Sequence, residues 1–283
     1  MIPFLFTSAR MLGYWDGRQQ HQLMEGNFYG LTWNEEQAWV SWQRPHVNGT
    51  LIMGLDGEIL DLPDLRNVHD ILWSGGILPA LGITDTGHDR VILVWWPTGS
   101  SREKEIVFPL RPEARDTLHL NSLWGYPRTL VLESGLGGIK GGYPARISDL
   151  YGESVVDIGA MFCHNIYIED GVLYGCYKEG LESGFYRMPM GGEPELFPIP
   201  GNYFMRGLAR GDGFFLFGRS VSVERDKRRD GDSAVLVTGD DLVISDIVNL
   251  KDTGQLGSVR LLDGDRAHNG LPFPNQEVLD DLE

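Results

Sequence analysis

His69-Asp70-Ile71, Leu120-Asn121-Ser122, His164-Asn165-Ile166, Arg206-Gly207-Leu208 and His268-Asn269-Gly270, with a weaker copy at Tyr29-Gly30-Leu31, are variants of one phrase. All but the last of the five strong copies lead into an apolar strand, a turn and a second strand, so the phrase marks the same corner of a repeated unit. From second residue to second residue the steps are 40, 51, 44, 42 and 62, and counting from Asn269 through both termini to Gly30 gives another 44. A period of about 40 to 50 residues filled with short strands is that of a β-propeller blade. Because the count closes through both chain ends, the expectation is an all-β, six-bladed β-propeller over residues 1–283, a single domain whose last blade is shared by the termini.

Composition agrees with this reading. Eight Trp, ten Tyr, twelve Phe and 37 Gly among 283 residues suit short twisted strands joined by tight turns. No Pro/Ser-rich linker divides the chain. The net charge of −16 argues against binding nucleic-acid phosphates, which draws on clustered Lys and Arg. The N-terminus lacks a basic start followed by a long apolar run, and no stretch reaches the ~20 apolar residues needed to span a bilayer. A cytoplasmic protein with no membrane partner is expected.

Individual blades can be read. In blade four Asp170-Gly171 is a two-residue hairpin turn, which opposes Glu169 to Val172 and sets Cys163 against Lys178 and Cys176 against Asn165. The two sulfurs then lie on a diagonal ~7 to 8 Å apart, which favours free thiols over a disulfide. In blade two Gly75-Gly76 is a turn, and Asp85-Thr-Gly joins the second and third strands. Blade five carries the charge-rich insertion Ser220–Asp232, either a solvated loop or a lid over the channel, which accounts for the 62-residue step.

Blades radiate from an axis, so the loops entering the innermost strands open at one mouth of the central channel. The second positions of the phrase include Asp70, Asn121, Asn165 and Asn269, hard oxygen donors of the kind calcium gathers, with Glu25 as a further carboxylate. Turn capping is the structural alternative for each. The first positions, with His119 displaced by one residue, bring together His69, His119, His164 and His268. Imidazole serves there as general base or as ligand to a transition metal. Arg206 in the same ring suits a carboxylate or phosphate on a substrate, or an internal ion pair with Asp70 or Glu25.

The His-Asp-Ile, Leu-Asn-Ser and His-Asn-Ile openings resemble those of the six-bladed calcium-dependent paraoxonase and gluconolactonase (senescence-marker) group. Glu25-Gly26 before Leu31-Thr-Trp loosely resembles the Glu-Gly-Pro-Val-Trp segment whose Glu binds the metal in gluconolactonases, without its Pro. The resemblance implies a divalent ion at the blade mouths and a nearby histidine base. Phe204-Met-Arg206-Gly-Leu-Ala, with Phe215-Leu-Phe-Gly-Arg-Ser220, is similar to a bacterial propeller-like family of unknown function.

Other signatures fail. Gly135-Leu-Gly-Gly-Ile-Lys140-Gly-Gly lacks the Gly-Lys-Ser/Thr ending of a phosphate loop and reads as a blade turn. No nucleophile elbow or His-Glu-x-x-His is present. The leading expectation is a metal-dependent lactone or ester hydrolase acting on a small molecule in the central channel. In it Glu25, Asp70, Asn121, Asn165 and Asn269 hold calcium, and His69 or His164 activates water. The first alternative is an oxygenase or lyase whose Fe, Cu or Mn is held by His69, His119, His164 and His268. The second is a propeller without enzymatic activity that binds a ligand or protein across its mouth, where Trp33, Trp73 and Trp124 would help if they did not pack between blades.

Overall fold

The computed structural model describes residues 2–44, 49–62, 64–74, 79–96, 104–110, 118–125, 129–134, 145–159, 162–274 and 276–280. They form six four-stranded antiparallel sheets and, at the C-terminal end, one short helix, Gln276–Asp280. The Gly75-Gly76 turn and the Gly135–Gly142 stretch lie outside the described residues.

Each sheet is one blade. The innermost strands are Asn27–Trp33, Val68–Ser74, Leu120–Trp124, Phe162–Glu169, Tyr203–Arg210 and Leu256–Leu261. Each packs beside the innermost strand of the next blade, and Leu256–Leu261 closes the ring onto Asn27–Trp33. Blade six joins both ends of the chain: Leu256–Leu261 is innermost, and Phe4–Ser8, Met11–Trp15 and Gln20–Glu25 follow outward, with Phe4 opposite Leu261. The six-bladed ring closed by the termini is therefore present as the spacing implies.

Burial explains the composition of the strands. An innermost strand is covered on both faces by neighbouring blades, so Leu120–Trp124 is buried throughout. The outermost strand of blade five, Ile244–Leu250, is mostly exposed and buries only Val248 and Leu250. Aromatic side chains fill the wedges between blades: Phe185 stacks on Phe217 at 4.4 Å, and Tyr174 packs on Phe215 at 4.9 Å.

The recurring phrase turns out to be a β-bulge. Pairing of each innermost strand with the second strand of its blade slips at the phrase: between Phe28 and Leu31, Val68 and Ile71, Leu120 and Ser122, His164 and Tyr167, and Met205 and Leu208. Blade six slips opposite Thr7 and Ser8, which face Ser258 and Leu256 and leave Gly257 extra. The sixth copy is thus Leu256-Gly257-Ser258, not His268-Asn269-Gly270, and the step from Gly207 is 50 residues. The bulge also corrects the blade-four hairpin. Asp170 and Gly171 form the turn with φ of 50° and 74°, and Tyr167 faces Tyr174 as counted, but beyond the bulge His164 faces Cys176 and Cys163 faces Tyr177. Both cysteines are free and buried, as expected.

The bulged residue reaches the next blade. Asp70 Oδ2 accepts from Ser122 Oγ and from Leu123 N, both at 3.0 Å. Asn121 Nδ2 donates to the Cys163 carbonyl at 3.0 Å, and Asn165 Oδ1 accepts from Gly207 N at 2.8 Å. At the other three bulges the blades lie too close for a side chain: a Cβ on Gly30 would sit 2.7 Å from Ile71 N, one on Gly207 2.8 Å from Val259 Cγ2, and one on Gly257 2.7 Å from the Tyr29 carbonyl. Asn or Asp rivets three of the joints, and glycine permits direct contact at the other three.

A candidate anion site at the channel mouth

Side chains at the entry of five innermost strands meet. The Tyr29 ring stacks on His69 at 5.7 Å, and His69 meets His119 edge-on at 4.8 Å. His119, held at a φ of 51° just before its strand, packs on Phe162 at 5.3 Å. Phe162 contacts His164 at 4.7 Å, and His164 contacts Phe204 at 4.8 Å. Strand alternation explains the two phenylalanines, which precede His164 and Arg206 by two residues and so face the same way.

Arg206 spans this group. Its Nη2 donates to His164 Nδ1 at 3.2 Å and to Asn121 Oδ1 at 3.4 Å, and its guanidinium lies 5.3 Å from the Phe204 ring centre and 5.6 Å from that of Tyr29. The residue is buried, and its neighbours are an amide, an imidazole and aromatic rings. Burial pulls its pKa down to about 10, and the charge of Arg228 adds to the effect. The internal pair expected with Asp70 or Glu25 is not formed. Asp70 instead faces Arg260, Nη2 to Oδ1 3.6 Å, and Arg260 also donates to the carbonyls of Leu31 and Leu208. Arg260 thus ties blade six to blades one, two and five with a carboxylate opposite it, whereas Arg206 is a buried cation with no carboxylate in contact among the described residues.

The hydrogen bonds assign the histidine tautomers. The Cys163 carbonyl can only accept, so Asn121 Nδ2 must face it, and Asn121 Oδ1 must face His69 and Arg206. His69 therefore donates from Nδ1 to Asn121, and its Nε2 carries the lone pair. His164 accepts from Arg206 at Nδ1, so its proton is on Nε2, which is buried without a hydrogen-bond partner among the described residues. Burial, reinforced by the Arg206 charge, holds both imidazoles well below the usual histidine range and keeps them neutral. The mouth offers a cation, a base and an unpaired N–H donor side by side.

The remaining expected site residues lie elsewhere. His268 contacts Thr32 Oγ1 and packs against Trp33 at 4.8 Å, at the far end of the innermost strand of blade one. Asn269 caps the same place, Nδ2 donating to the Trp33 carbonyl at 2.6 Å and Oδ1 accepting from Leu271 N. Glu25 ends the outermost strand of blade six and is exposed. The five-residue oxygen set is thus split, and its three members at the bulges hold neighbouring blades together. The four-histidine set is reduced to His69, His119 and His164. Among the described residues no group of three or more His, Cys, Asp and Glu side chains is placed to hold a metal ion. Trp33 and Trp124 are buried, and half-buried Trp73 stacks on Trp39 at 5.5 Å, so these rings pack the blades.

Sequence reasoning missed Phe162, Phe204, Arg228 and Arg260. The two phenylalanines were readable from the i, i+2 alternation. Arg228 and Arg260 were not, because neither stands in the repeated phrase.

No family model matches the chain, and no curated protein matches it. Among solved structures, a protein from Lactobacillus plantarum aligns with a TM-score of 0.51 at 11% identity, covering 93% of this chain and 99% of that one. The WD40 domain of Toxoplasma gondii coronin aligns at 0.48 with 11% identity, over 89% of this chain and 63% of that one. A quinoprotein alcohol dehydrogenase-like protein from Bacteroides thetaiotaomicron aligns at 0.47 with 9% identity, over 91% and 77%. At these identities the likeness bears on fold alone, and the six four-stranded blades of this chain are those of a β-propeller.

Proposed function

We propose that the protein is a hydrolase of small esters or lactones that carry an anionic group, working at the channel mouth. Arg206 holds the carboxylate or phosphate of the substrate, His69 Nε2 takes a proton from the attacking water, and His164 Nε2–H donates to a substrate oxygen. The carrying observation is the buried Arg206 guanidinium, which has neutral neighbours where a structural arginine would have a carboxylate. A buried cation kept so at the entry of the innermost strands is suited to receive an anion. From the resemblance to the paraoxonase and gluconolactonase group this reading keeps the histidine base. It makes no use of calcium, because Asp70, Asn121 and Asn165 are engaged between blades.

Hydrolysis of a panel of carboxylate-bearing lactones and aryl esters tests it, with the wild type set against His69→Gln and Arg206→Gln. Loss of His69 should lower kcat by ~10²- to 10⁴-fold with the fold intact. Loss of Arg206 should raise KM for anionic substrates and leave neutral ones unaffected. Activity abolished by chelation and restored by calcium would reinstate the metal-dependent reading. Anion binding without turnover would leave a ligand-binding propeller.

A further inference from the structure

Five blades contribute a polar or aromatic side chain to the mouth, whereas in the sixth the residue that precedes the bulge glycine Gly257 is Leu256, buried among apolar side chains. The insertion in blade five lies against that entry. It runs from the end of the strand Phe214–Val221 to the start of Ser233–Gly239 and makes one 3₁₀ turn at Arg225–Lys227. It is fastened to the segment that feeds the innermost strand of blade six. The Arg228 carbonyl accepts from Gln255 N at 2.7 Å, the Gly231 carbonyl from Gly254 N at 2.9 Å, and the Asp232 carboxylate takes both Asp252 N and Lys251 Nζ. The stretch expected to be either solvated loop or lid is thus surface-exposed for most of its length and anchored at the mouth by its C-terminal half.

Arg228 is the residue it delivers. The residue is half-buried, its Nε is shielded from solvent, and that atom has no hydrogen-bond partner among the described residues. Burial is the main cause that holds His69, His164 and Arg206 down, and the charge of Arg228 adds a smaller share at each. The buried carboxylate of Asp70 is already engaged by Ser122, Leu123 and Arg260. Anchored to Gln255 at the entry of Leu256–Leu261, Arg228 brings a second guanidinium beside the mouth that holds Arg206, Tyr29, Phe162, Phe204 and the neutral imidazoles.

We propose that Arg206 and Arg228 together form the recognition site for a dianionic phosphoryl group, so that the ligand of the channel mouth is a phosphate monoester. This deepens the proposed function and rests on Arg206 being an anion receptor. A monoanionic carboxylate can satisfy one guanidinium. A phosphoryl group has two charges and three terminal oxygens, enough for two arginines and the His164 Nε2–H donor.

Calorimetric titration at pH 7.5 with phenyl phosphate, inorganic phosphate and benzoate tests the proposal on the full-length protein. Phenyl phosphate should bind the wild type at least about tenfold more tightly than benzoate, the ratio expected for one added charge-assisted hydrogen-bonded contact. Arg228→Gln retains the backbone anchor at Gln255. It should abolish that preference while benzoate affinity stays within about twofold, and Arg228→Lys should keep most of it. Phenyl phosphate binding ahead of inorganic phosphate identifies the ester; the reverse order identifies the free anion and overturns the monoester. Equal affinity for mono- and dianion, or a preference that survives Arg228→Gln, overturns the role of Arg228 and leaves Arg206 as a carboxylate receptor. No anion binding in the wild type, or undiminished benzoate binding in Arg206→Gln, would sink the proposed function itself.

Discussion

At the scale of single residues, Asn121 links architecture to chemistry. One amide donates to the Cys163 carbonyl and to Ser134 Oγ, and the oxygen on its other side takes His69 Nδ1–H and Arg206. Asn121→Ala would orphan the buried Cys163 carbonyl, cost ~1–3 kcal/mol of stability, and free His69 to adopt the other tautomer. Asn121→Asp should do something different, pairing with Arg206 and cancelling its charge at the mouth. Benzoate binding by calorimetry should therefore be lost in Asn121→Asp, which also lacks the donor to the Cys163 carbonyl and so should lower the melting temperature as well. Gly207 makes the complementary point, since it has a φ of 93° and a Cβ there would meet Val259 Cγ2 at 2.8 Å. Gly207→Ala should cost ~1–3 kcal/mol in urea unfolding, because the backbone region and the blade contact both exclude a side chain. In the sequence, Asp70, Asn121 and Asn165 look like ligands. Their hydrogen bonds between blades were not legible there, because a side chain that bridges two blades and one that coordinates an ion use the same oxygen atoms.

Elements carried most of what the sequence made legible. The phrase located five of six innermost strands, since a bulge at a fixed place in every blade imposes small or polar residues at fixed spacing. The sixth was misplaced because Gly257 sits between Leu256 and Ser258 with nothing polar before it, whereas His268-Asn269 copies the wording in a turn at the opposite end of the channel. The blade-four hairpin failed in the same instructive way. Its turn was readable, but the one-residue slip at the bulge brings Cys176 opposite His164 and Cys163 opposite Tyr177. Both thiols end in an apolar wedge where burial pushes that of Cys163 up to about 12 and raises that of Cys176 as well. Native protein should accordingly give no thiol reaction with Ellman's reagent at pH 8, and both equivalents should appear together once guanidinium unfolds the blade. A fast-reacting thiol in the native state would contradict the packing of this hairpin.

For the molecule as a whole, closure concentrates buried titratable groups along the axis, and their signs set how stability depends on pH. His69, His164 and His268 are all held well below the usual histidine range, with burial as the largest cause. In the unfolded chain each takes up a proton below about pH 6.5, while in the folded chain it does not. Their contribution to stability is therefore complete above pH 6.5 and drains away as the pH falls. Asp265 acts in the opposite sense. It is buried where it accepts from the backbone N–H groups of Arg210, Leu261 and Ala267, and its pKa is raised to about 6. It therefore favours the folded state most at low pH and loses that effect as the pH rises through 6. Burial likewise raises the carboxyl of Asp70, so two acids offset part of what three bases remove. His268 separates these contributions, since it lies at the far end of the channel from Arg206 and can be changed without touching the mouth. Between pH 6 and 5 the unfolding free energy of His268→Gln should fall less steeply than that of the wild type, by up to ~1.4 kcal/mol per pH unit, one proton's share of the linkage. Urea midpoints across that range measure it. Equal slopes would mean that His268 is protonated in the folded ring, and would remove the premise that the axis keeps its imidazoles neutral.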